Sequence, residues 1–124
     1  MKILVIEDSE KSAELEKKIL EKKGHTIFVE HYGKDGLKTA KKEKPDLILL
    51  DIKLPDISGY DVCKKLKKSR KTRDITIFMV TSNDKIKDIE HAFRLGADDY
   101  ITKPFRASAL WPAIATKLKK LQEK

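Results

Sequence analysis

The chain has 124 residues, 40% of them hydrophobic and 39% charged, with a formal net charge of +8. That is the size of one compact domain with one core, expected over residues 1–124; its aliphatic runs are far too short to cross a bilayer, and "MKILVIED" turns acidic where a signal peptide would stay apolar. Cys63 is the only cysteine, which excludes an intramolecular disulfide and a cysteine metal site and fits a reducing, cytoplasmic compartment.

The first apolar run, "ILVI" at 3–6, has strand length and composition and ends in Glu7 and Asp8. Ser9 to Lys23 follows with helical spacing: Ala13, Leu15, Ile19 and Leu20 mark a stripe, and Gly24 stands where a C-terminal stop belongs. "TIFV" at 26–29 is the second strand, and its trailing Glu30 and His31 are expected off to the side. "LILL" at 47–50 is the third, ending in Asp51. In "LPDISG", Pro55 and Gly59 read as turn and helix-start residues without chemistry, and Cys63 beyond them as packing. "ITIFMV" at 75–80 is followed by Thr81 and Ser82; Ile86, Ile89, Ala92 and Phe93 form the next helical stripe, closed by Gly96. "YI" at 100–101 is followed by Thr102, Lys103 and Pro104. The lysines of "EKKILEKK", "TAKKEK", "CKKLKKSRK" and "TKLKKLQEK" are spaced like solvated helix faces, so the positive charge is not by itself evidence of a nucleic-acid site. His25, His31 and His91 lack ligand spacing and read as surface or core residues.

Five strand-then-helix units in strict alternation predict a doubly wound α/β fold with a parallel sheet and helices on both faces. Ligands in such folds sit at the carboxyl ends of the strands. Glu7, Asp8, Asp51, Thr81 and Lys103 would therefore converge on one edge. Each has a plainer reading: helix-capping acids for Glu7, Asp8 and Asp51, a helix cap for Thr81, core for Tyr100, a surface loop for Lys103. With Asp51 and Lys103 at the same edge the capping reading of Asp8 is rejected, since three carboxylates there repel unless a proton or a cation resolves the conflict, whereas for Tyr100 the two readings are not exclusive. A hard divalent cation suits all-oxygen ligands, Lys103 would act as a point charge on a phosphoryl group, and Thr81 could donate to it.

"ILVIEDS", "PDLILLDIKLPDISGYDV", "IFMVTSND" and "GADDYITKPF", in that order, resemble the receiver domain of two-component response regulators, with the single-domain chemotaxis regulators as the nearest type. The resemblance covers the whole chain. It implies a flavodoxin-like (βα)5 fold with strand order 2-1-3-4-5, and Asp51 as phosphoacceptor for a sensor histidine kinase or phosphotransfer protein. It implies Mg²⁺, with Mn²⁺ as a substitute, held by Asp8 and Asp51, by Glu7 through water, and by the main-chain carbonyl of Lys53. Thr81 and Lys103 would hold the phosphoryl oxygens, and Lys103–Pro104 would be a cis peptide. Thr81 and Tyr100 would switch an output face built from the fourth helix, last strand and last helix, which binds a downstream target protein. Lys53 and Asn83 would tune phosphoryl lifetime. Such a protein is a phosphoacceptor that assists its own phosphorylation and dephosphorylation rather than an enzyme, a monomer that can pair on phosphorylation. With no length left beyond Lys124, neither specific DNA binding nor membrane association is expected.

Two features depart from the family pattern. Arg106 places a positive charge at the positive end of the last helix, and Pro112 would interrupt a helix begun at Ala107, which predicts a late start or a kink near Trp111. Lys53 puts a charge beside the acceptor. Among rivals, a haloacid-dehalogenase-like phosphatase wants an acid where Lys53 stands, and a flavin or nucleotide binder wants a glycine loop where "EDSEKSAE" has acids. A phosphorylation-independent interaction module with the same fold is the alternative that remains.

Overall fold

Apolar runs of at most six residues, too short for helices, become strands, and the central ones are covered on both faces. In the computed structural model, which describes residues 1–82 and 86–123 apart from the side chains of Ile86 and Asp88, the order is β1 (Lys2–Ile6), α1 (Glu10–Lys22), β2 (Thr26–Glu30), α2 (Gly33–Glu43), β3 (Leu47–Asp51), α3 (Gly59–Lys68), β4 (Thr76–Thr81), α4 (Ile86–Arg94), β5 (Asp99–Thr102) and α5 (Ala107–Gln122). The sheet order is β2-β1-β3-β4-β5 and every pairing is parallel, the doubly wound order expected.

Alternation along each strand divides the core in two. Leu4, Ile6, Ile48, Leu50, Ile77 and Met79 face Ala40, Val62, Cys63, Leu66 and Ala92 on one side of the sheet. Ile3, Val5, Leu47, Leu49, Phe78 and Val80 face Ala13, Leu20, Leu110 and Ile114 on the other. Each fully buried Leu or Ile contributes about 1.5–3 kcal/mol, so these two layers carry the fold. Strand order reverses between β1 and β3, whose pairing runs from Ile3 opposite Leu47 to Ile6 opposite Leu50. Their carboxyl ends therefore deliver Glu7, Asp8 and Asp51 to the switch point.

The helix boundaries follow local chemistry. Ser9 caps α1, its Oγ accepting from Ser12 N–H at 3.3 Å. Gly24 and Gly96 take the left-handed backbone (φ 90° and 104°) that ends α1 and α4. Asp56 accepts from the N–H groups of Gly33 and Lys34 at 2.8 and 3.0 Å, capping α2 from another loop.

Four expectations need correction. On α1, Leu15 is 49% exposed and Glu16 is buried, because 13, 16 and 20 share the inward stripe while 15 lies about 200° from 13. On α4, Phe93 is exposed, its ring edge-on to Tyr100 at 6.3 Å. α5 begins at Ala107, not late, and runs as one helix through Pro112. Arg106 is its exposed N-cap, where water screens the charge, and Pro112 and Ser108 are both exposed, so water can take the carbonyl that proline leaves without a donor. Lys67 also differs from its solvated neighbours, reaching Ile75 O at 2.9 Å and Asp98 at 3.3 Å.

Candidate functional site

β1 ends directly into Glu7 and Asp8, and β3 ends in Asp51. One carboxylate oxygen from each lies within 4.8 Å of the others. Glu7 is 2% exposed, Asp51 half-buried and Asp8 exposed, so the trio runs from interior to solvent. The Lys103 ammonium, carried by the turn after β5, pairs closely with Glu7 and stands 3.6 Å from Asp51 Oδ2. Its backbone N–H donates to Thr81 O at 2.7 Å, which sets the lysine beside the end of β4. The Lys103–Pro104 peptide is cis, as expected.

Electrostatics follow from this crowding. Burial raises the pKa of Glu7, hydrogen bonding with Asp51 and its charge add to the rise, and Lys103 opposes it. Asp8 is raised by desolvation and by its hydrogen bond and charge interaction with Glu7. Burial opposes the charge on Lys103, but the hydrogen bond to Glu7 and the charges of Asp51, Glu7 and Glu16 outweigh it, so its pKa lies above the ordinary lysine value. The site has more negative charge than one lysine neutralises.

A cavity of about 440 Å³ opens over the trio, walled also by Lys53, Tyr60, Thr81, Ser82 and Lys103. Lys53 N–H donates to Asp51 Oδ1 at 3.4 Å, a turn that holds the Asp51 side chain from its own loop. Thr81 is 5% exposed and lines the same wall. Tyr100, by contrast, lies away from this cavity: half-buried against the first core layer, with Lys117 Nζ 5.1 Å above its ring. Asn83 falls outside the described residues. Cys63 is fully buried with its thiol pKa pushed up to about 11 by desolvation, an inert packing residue.

Three residues matter more than their sequence context suggested. Gly59 N–H donates to Ile52 O at 2.7 Å, and a Cβ there would sit 2.1 Å from Asp51 O, so only glycine lets α3 start against the Asp51 loop. His31 lies off to the side of the cavity, as expected, yet its Nδ1 stands 2.9 Å from Glu7 O; a carbonyl only accepts, so Nδ1 is the donor. The third is Glu16, buried beneath the site. The capping reading of Glu7 survives in part, since its Oε2 also accepts from Ser9 N–H at 3.3 Å.

The family model for the response regulator receiver domain matches residues 3–115. The chain belongs to that family. It is 35% identical to the protein PilH of Pseudomonas aeruginosa over 113 residues, 91% of this chain and 93% of PilH. It is 42% identical to the alkaline phosphatase synthesis transcriptional regulatory protein PhoP of Bacillus subtilis over 104 residues, 84% of this chain but only 42% of PhoP. The receiver thus spans about two-fifths of that relative's length. The solved structure of a CheY-like response regulator receiver domain protein from Methanospirillum hungatei shares the fold with a TM-score of 0.87 at 30% identity, covering 98% of this chain and 96% of that one.

Receiver domains act in two-component signalling, and the chain is one of them. The receiver's divalent-metal cluster is Glu7, Asp8 and Asp51 here. The residues fit such an ion: the donor set is all oxygen, and the mutual repulsion that raises Glu7 and Asp8 is what a dication relieves. Among the described residues, no helix is long and apolar enough to cross a membrane.

Proposed function

We propose that Asp51 accepts a phosphoryl group from the phosphohistidine of a sensor histidine kinase or phosphotransfer protein. The carboxylate oxygen bonds to phosphorus, the P–N bond breaks with its electron pair going to the donor imidazole, and an aspartyl phosphate results. The observation that carries this reading is the position of the Lys103 ammonium, within reach of Asp51 Oδ2 and backed by two acids from β1.

The chain's own residues then divide the work. Glu7, Asp8 and Asp51, with the Lys53 carbonyl, would hold Mg²⁺, or Mn²⁺ in its place, and the ion would supply charge neutralisation at the phosphoryl oxygens. Lys103 contributes a second positive charge, and Thr81, on the wall of the same cavity, would hold a phosphoryl oxygen. A carboxylate nucleophile needs no general base, so positioning and charge do the rest. On this reading the chain is a phosphoacceptor rather than a turnover enzyme.

Output would pass through Thr81 and Tyr100 to α4, β5 and α5. A hydrogen bond drawing Thr81 toward a phosphoryl group makes room for the Tyr100 ring, now held only half-buried between Phe93 and Lys117. That face would bind a target protein, in the cytoplasm, from a monomer that can pair when phosphorylated. Hydroxylamine treatment of protein incubated with phosphohistidine donor tests the chemistry: a hydroxamate mapped to Asp51 by peptide mass supports it, and a hydroxamate elsewhere or none contradicts it.

A further inference from the structure

Among the described residues two carboxylates are buried, Glu7 and Glu16, each 2% exposed. Glu7 has Lys103 and the Ser9 N–H as partners, whereas Glu16 Oε2 has no hydrogen-bond partner. An acid in that state is costly, and an apolar side chain would fill the same inward position of α1 more favourably. Packing alone therefore does not account for it.

The surroundings of Glu16 point to Lys103. Ser12 and Leu15, in the turn of α1 before Glu16, line a cavity of about 210 Å³ together with Lys103, Pro104 and Phe105, so this turn of α1 and the lysine border the same space, and Ser12 shares the face of Glu16 one turn on. The charges that act on Glu16 are Lys103, which favours its ionised form, and Glu7 and Asp51, which oppose it. A divalent cation on the acid trio must compete with this ammonium for Glu7, since the two are paired directly.

We infer that Glu16 is a positioning residue for Lys103: it supplies a second anion for the ammonium, so that Glu7 can turn from Lys103 to a bound divalent cation. This rests on the trio being the metal site and not on phosphorylation of Asp51. Glu16 does not touch the metal or the reacting atoms; it sets how readily they are served.

The test is Mn²⁺ titration of the full chain at pH 8, followed by the resonance of free Mn²⁺, in a double-mutant cycle of Glu16→Gln and Lys103→Met. Glu16→Gln is expected to weaken Mn²⁺ binding about threefold or more when Lys103 is present, and by less than about 1.5-fold in the Lys103→Met background. Glu16→Leu, which also removes the charge and suits the apolar surroundings, should behave as Glu16→Gln does. An equal loss in both backgrounds would make Glu16 a distant charge acting on the metal directly and overturn the inference, as would no loss in either. Binding abolished by Asp8→Asn but indifferent to Glu16 would overturn the role of Glu16 and leave the metal site standing. No Mn²⁺ binding by the wild type would overturn both.

Discussion

Lys103 Nζ stands 3.6 Å from Asp51 Oδ2 while its direct partner is Glu7. The lysine is thus held beside Asp51 without being consumed by it, and on the proposed function a phosphoryl group on Asp51 would extend toward it. Lys103→Met should slow phosphoryl incorporation from acetyl phosphate by about a hundredfold, the scale of losing one preorganised charge. Far-ultraviolet dichroism should not change, because the lysine carries no part of either core layer. A rate within a few-fold of wild type would mean the ammonium only balances Glu7.

Glu16 gives the stability a pH dependence whose sign is fixed. Its pKa is raised from 4.5 to about 7, by burial first and by Glu7 and Asp51 after, against the opposing charge of Lys103. The folded state therefore keeps a proton that the unfolded state has lost. That contribution is fully present below pH 4.5 and is lost as pH rises to about 7, a difference of roughly 3 kcal/mol. Glu16→Leu should raise the unfolding midpoint in urea at pH 8 and leave little difference at pH 4.5. An equal effect at both values would place the cause in packing instead.

Gly59 should be intolerant despite having no side chain to do chemistry. In Gly59→Ala the new Cβ meets Asp51 O at 2.1 Å and Ile52 Cα at 2.7 Å, both backbone atoms that cannot swing aside. Destabilisation of more than about 2 kcal/mol in urea unfolding is expected, and Asp51 should accept phosphoryl more slowly because its loop moves. A variant as stable as wild type would show that α3 can shift freely.

Lys53 places an exposed ammonium on the wall of the site cavity, next to the loop that holds Asp51. Lys53→Asn should change the decay rate of the aspartyl phosphate several-fold, followed by loss of the phosphorylated mass after donor removal, with acceptance less affected. An unchanged decay rate would remove lifetime control from this residue.

The strands and the acid trio were legible because their signals are local. Four aliphatic residues followed by Asp51 declare both a buried strand and its exposed end, and the switch point follows from strand order alone. Glu16 was not legible by hydrophobicity, which favours Leu15; only the strict spacing from Ala13 to Leu20 places 16 inward. Gly59 and His31 act through backbone atoms of Asp51, Ile52 and Glu7, contacts between distant segments that leave no pattern in the chain. The smooth start of α5 was hidden for a similar reason: whether Pro112 breaks a helix depends on whether water can reach the carbonyl of Ser108, a fact of exposure.

The most direct test of the central claim is the intact mass of the protein after incubation with acetyl phosphate, with and without Mg²⁺, beside an Asp51→Asn variant. One phosphoryl adduct that requires both Mg²⁺ and Asp51 is the expected result. No adduct in the wild type, with Mg²⁺ shown separately to bind, would contradict it and leave a receiver fold that signals by contact alone.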